Sequence, residues 1–119
     1  LITVIFRNIA VNGGIDPEKS ENIFIEFSGH SGSGIKGNDI VCSAVSVLVH
    51  TFSQTAGKIL KIRQEIQRSN GYFSTLIKMN ELSPDDKLGL RLLMNSLLIG
   101  LAEISREYPD RIKIEFEND

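Results

Sequence analysis

Ile2, Val4 and Phe6 alternate with Thr3, Ile5 and Arg7, and residues 1–8 therefore predict a strand. Asn12-Gly13-Gly14 and Asp16-Pro17 mark a turn region. A second alternation follows at 22–28, with Ile23, Ile25 and Phe27 on one face and Glu26 and Ser28 on the other. The pattern then breaks into Gly-His-Ser-Gly-Ser-Gly-Ile-Lys-Gly-Asn at 29–38, a glycine-rich loop able to approach a ligand closely. Asn38 or Asp39 can cap a helix whose apolar stripe is Val41, Ala44, Val45, Leu48 and Phe52, with Gly57 as its stop. Residues 58–67 and 71–79 predict two strands joined at Ser69-Asn70-Gly71. Ser83-Pro84-Asp85-Asp86 is a helix start with a capping hydroxyl, proline in the first turn and two acids behind it. That helix runs to about Tyr108 with Leu90, Leu93, Met94, Leu97, Leu101 and Ile104 on one face; Pro109 ends it, and Ile112, Ile114 and Phe116 alternate in a last strand. The order ββαββαβ implies an α+β fold: one small sheet of about five strands with two helices, in a single domain over 1–119.

Composition supports a packed core. The chain is 41% hydrophobic and 24% charged, which argues against disorder. The longest apolar stretch, 88–104, is interrupted by Arg91 and Asn95, so no membrane span is expected. The N-terminus enters its alternating pattern with no basic start, so no signal peptide is expected either. One cysteine and two histidines allow neither an internal disulfide nor a four-ligand Cys/His zinc site; no metal or cofactor is expected, and the cytoplasm is the expected location. The formal net charge is −2, yet Lys58, Lys61, Arg63, Arg68 and Lys78 face only Glu65 within 57–78. This run is the solvated face of a strand pair or a contact for RNA; no aromatic-rich RNA-binding pattern accompanies it.

The glycine loop offers two nucleotide motifs, and both fail. Gly32-Ser33-Gly34-Ile35-Lys36-Gly37 fits G-x-G-x-x-G, but the helix caps lie after the third glycine, whereas a dinucleotide cradle starts its helix inside the motif. A P-loop needs Lys and Ser or Thr where Asn38 and Asp39 stand, and phosphate would meet a carboxylate there.

Cys42 is the remaining chemistry. It lies in the first turn of the helix, where unpaired amides and the dipole favour a thiolate. It sits one residue off the apolar stripe, and Ser46 follows it one turn later on the same mixed flank. His30 opens the glycine loop twelve residues earlier, and a loop of that length can fold back to the thiol. Thiol and imidazole are the pair that nucleophilic acyl chemistry needs, one to attack a carbonyl and one to carry its proton. Asp39 either orients His30 or only caps the helix, capping being the simpler role. His50, two turns beyond Cys42, can line the same groove or simply occupy the helix face.

Gly29-His30, followed by Gly37-Asn38-Asp39-Ile40-Val41-Cys42-Ser43-Ala44-Val45-Ser46, resembles the ribosomal-processing cysteine proteases, the Prp family. Gly71-Tyr72 and the Gly100-Leu101 to Tyr108-Pro109 segment extend the resemblance over nearly the whole chain. The resemblance implies a cysteine endopeptidase that removes the N-terminal extension of large-subunit ribosomal protein twenty-seven, cleaving after a pair of aromatic residues. It implies Cys42 as nucleophile and His30 as general base. Gly29, Gly37, Asp39 and Ser46 match motif positions as supporting or substrate-binding candidates. It also implies a homodimer whose glycine loop covers the site. Ser31 and Ser43 stand where the family commonly has alanine, which touches loop packing rather than chemistry. Two other classes stay open at this stage: a non-catalytic ribosome-associated module binding RNA or protein through the basic stretch, and a homodimeric interaction module built on the apolar face of the second helix.

Overall fold

The structure, a computed structural model, describes residues 1–8, 10–11, 15–16, 22–29 and 39–117. Five strands form one mixed sheet: β1 (Ile2–Arg7), β4 (Asn22–Gly29), β5 (Glu65–Ser69), β6 (Tyr72–Lys78) and β7 (Ile112–Glu117). Their spatial order is β5-β6-β4-β1-β7; β1 and β7 run parallel and every other pair antiparallel. Helices α1 (Ile40–Lys58) and α2 (Pro84–Glu107) complete the expected ββαββαβ order. A pair of two-residue strands, β2 (Ala10–Val11) and β3 (Ile15–Asp16), flanks the expected turn region.

Period-two side chains put one face of the sheet against the helices. Val4, Phe27 and Phe73 stand in register across three strands, as do Phe6, Ile25 and Thr75, and all six are buried. Both helices close over this face, α1 with Val41, Val45, Val49, Phe52 and Ala56, and α2 with Leu90, Met94, Leu97 and Leu101. Helix α2 starts as its sequence dictates, the Ser83 hydroxyl accepting from the Asp86 amide at 3.2 Å with Pro84 in the first turn. By length and mean hydropathy both helices are apolar enough to cross a membrane, although Arg91 and Asn95 interrupt α2. Their buried stripes on the sheet are those of core helices.

Two boundaries differ from the sequence reading. Gly57 does not stop α1, which continues to Lys58. A Cβ on Gly57 would lie 3.3 Å from Gln64 Nε2, so the missing side chain makes room for the returning chain. Residues 58–64 are also not strand: after α1 ends, Lys61 adopts a left-handed φ of 59° and Ile62 turns into the core with its N–H on the Ala56 carbonyl. Gln64 then ties this connection down. Its Oε1 accepts from Ser53 Oγ at 2.9 Å and Thr75 Oγ1 at 2.8 Å, and its Nε2 donates to the Ser53 carbonyl at 2.9 Å. The strand proper begins at Glu65, and Asn70-Gly71 makes the hairpin turn with Gly71 at φ 73°.

Candidate active site

Strand β4 ends on Gly29 with φ 98°, a conformation that side chains rarely adopt. A Cβ there would overlap the Leu1 carbonyl oxygen, and the Gly29 amide donates to the Gly71 carbonyl at 3.0 Å. This glycine is therefore demanded by the β1–β4 pairing and the hairpin turn beside it. His30 and Gly37 follow in the loop and lie outside the described residues.

The chain re-enters at Asp39, buried to 6% exposure and extended at φ −82°, ψ 102°, where its carboxylate caps α1. Asp39 Oδ1 accepts from the Cys42 amide at 3.0 Å, and the Asp39 carbonyl accepts from the Ser43 amide at 3.0 Å. The capping role is thus plain. It also places an anion in the same first turn as the thiol, matching the positive end of the helix. Cys42 itself is half-buried and packs against the core cluster, one position after the fully covered Val41.

Ser46, one turn on, is half-buried and opens a groove of about 580 Å³ along the outer flank of α1. Val47, His50, Thr51, Gln54, Thr55, Lys58 and Ile59 continue its wall, and Arg68 reaches in from β5. His50 is wedged edge-on against Phe27, 6.0 Å between ring centroids, and Phe73, 4.7 Å. Burial, and then the nearby Arg68 charge, holds its imidazole below the usual 6.5, so it is neutral at neutral pH. The Arg68 guanidinium lies 5.9 Å from the Phe73 ring.

The pattern of residues 11–113 matches the cysteine protease Prp family. The chain belongs to that family. Solved structures share the fold of this Prp member over almost the full length. The essential ribosomal-processing protease Prp from S. aureus, in complex with a covalently linked product peptide, aligns at a TM-score of 0.74 and 20% identity, covering 98% of this chain and 99% of that one. The same S. aureus protease with a substrate peptide gives 0.70 at 19% identity, with the same coverage of both chains. SMU.848 from Streptococcus mutans gives 0.67 at 21%, covering 100% of this chain and 96% of that one. No curated protein matches the chain.

Among the described residues, the helix start brings Asp39 and Cys42 together, and the same helix carries Ser46 and His50 along one groove. Sequence reasoning missed Arg68 as part of this wall and treated it as one of a basic run. The run is in fact divided: Lys58 and Arg68 face the groove, while Arg63 and Lys78 lie with Glu65 and Glu81 elsewhere, Lys78 pairing with Glu65 at 3.8 Å. The alternation Ile66, Arg68 against Glu65, Gln67 is the signal that puts Arg68 on the helix side of β5.

Proposed function

We propose that the protein is a cytoplasmic cysteine endopeptidase that removes the N-terminal extension of large-subunit ribosomal protein twenty-seven. The observation that carries this reading is the family match over 11–113, which spans Cys42 and the glycine loop. The structures of the S. aureus protease with substrate and product peptides support a peptide substrate.

In this mechanism Cys42 Sγ attacks the scissile carbonyl and His30 takes the thiol proton. The tetrahedral intermediate collapses with the imidazole protonating the leaving amine, and water, deprotonated by His30, resolves the acyl-enzyme. The amides of Cys42 and Ser43 are engaged by Asp39, so the oxyanion donors in this mechanism are other backbone N–H groups. Intact mass of the same organism's ribosomal protein, before and after incubation, tests the reading. One shortened product, absent with Cys42→Ala, is expected; an unchanged substrate, or equal cleavage by the variant, overturns it.

The working form in this proposal is a homodimer. Leu88, Leu92 and Ile99 share one outward face of α2 and are 62%, 72% and 67% exposed, beside an interhelical cleft lined by Val47, Leu48 and Leu93. Sedimentation at twice the 13.2 kDa chain mass is expected; a monomer at high concentration would remove this part of the proposal.

A further inference from the structure

Ser46, His50, Gln54 and Lys58 follow Cys42 at intervals of four residues, one ridge of α1, and all four line the same groove. The groove thus starts one turn from the thiol and leads away from it. Its charged and titratable lining is entirely basic: His50, Lys58 and Arg68, with no acidic residue among the described residues that line it. Arg68 and His50 both pack on the Phe73 ring, which brings the guanidinium to the level of His50 along the helix. Lys58 is partly engaged, its Nζ 3.4 Å from Gln54 Oε1. Val47 and Ile59 add exposed apolar surface to the wall.

We infer that this groove holds an extended segment of the peptide substrate and selects a carboxylate side chain about four residues from the scissile bond, Arg68 being the group that reads it. The spacing follows from geometry. Eight residues of helix separate Cys42 from His50, about 12 Å of rise, and an extended peptide covers that distance in about four residues at roughly 3.3 Å each. The charge lining fits an anion, and the apolar surface of Val47 and Ile59 fits neighbouring side chains of a peptide better than a phosphodiester backbone. Arg68 suits the task because its planar fork pairs with a carboxylate through two parallel hydrogen bonds. The inference rests on the protease reading, since it takes Cys42 as the point from which substrate is measured.

Binding separates the two claims. Fluorescein-labelled peptides spanning the scissile bond, with a single Asp, Asn or Lys moved along the sequence, are titrated into the Cys42→Ala protein. Expected is a preference for Asp of roughly three- to tenfold about four residues from the bond, lost in an added Arg68→Gln change and turned toward Lys by Arg68→Glu. Arg68 is exposed on an edge strand, and circular dichroism of each variant verifies the fold. Equal binding of Asp, Asn and Lys peptides overturns the inference, as does a preference that survives Arg68→Glu, or no peptide binding at all. Displacement by a short RNA but not by unlabelled peptide also overturns it. Charge-dependent binding with no cleavage by the wild-type protein would leave the groove in place and remove the protease.

Discussion

Replacing Gln64 by leucine isolates the polar clamp that holds the end of α1 to β6. Ser53 and Thr75 are 4% and 1% exposed, and both donate their hydroxyl protons to Gln64 Oε1. Leucine preserves the approximate volume but leaves both donors without that acceptor. A buried donor left unmet costs about 1–3 kcal/mol. Ser53 lies inside a helix, where a hydroxyl can turn back to the carbonyl four residues earlier and recover part of its loss; Thr75 faces the core from a strand. The sum is about 2–4 kcal/mol. At a urea dependence of about 2 kcal/mol per molar, the unfolding midpoint drops by roughly 1–2 M. The decisive arm is the triple replacement Ser53→Ala, Gln64→Leu, Thr75→Val, which removes donors and acceptor together and returns to within about 1 kcal/mol of wild type. A triple variant as unstable as the single one, or a single variant as stable as wild type, would refute the argument from unmet donors.

Two further outcomes follow from the same geometry. Gly29→Ala meets both a φ of 98° and the Leu1 carbonyl; the backbone conformation alone costs about 1–2 kcal/mol, so urea unfolding should show a loss above that range, and wild-type stability would contradict the close approach. His50 has its imidazole held below 6.5 in the folded state, so the unfolded chain takes up the proton first. Its contribution to stability is therefore fully present above about 6.5 and declines as pH falls from there toward the depressed value. His50→Gln should flatten that part of the stability profile, measured by urea midpoints on either side of 6.5, and an equally steep variant would assign the slope to another group.

Strand and helix periodicities account for how much of this molecule was legible. Ile2, Val4 and Phe6, and then Ile23, Ile25 and Phe27, are buried as their alternation requires, because a sheet covered on one face leaves no other register. Ser83-Pro84 fixed the start of α2 through local hydrogen bonding that needs no tertiary partner. The failures at Gly57 and at 58–64 have the opposite origin. Helical glycine is tolerated there because Gln64, seven residues on, needs the space, and Ile59, Leu60 and Ile62 look like a strand although they serve a turn that anchors on the core. At the site, cap chemistry made Asp39 and Cys42 readable as one unit. Arg68 was not, because its place opposite His50 depends on the pairing of β5 with β6, a relation between distant residues.

The parallel pairing of β1 with β7 has a consequence for how the protein comes into being. Ile2 pairs with Ile112 and Arg7 with Glu117, the last pair joined by a 3.0 Å salt bridge. A ribosome adding roughly 5–20 residues per second therefore makes β1 some 5–20 seconds before its neighbour exists. Throughout that interval the β7-facing edge of β1 lacks its native partner, and the sheet closes only once residues 112–117 have been synthesised. Such a sheet is completed late in its own synthesis, with β1 waiting more than a hundred residues for β7.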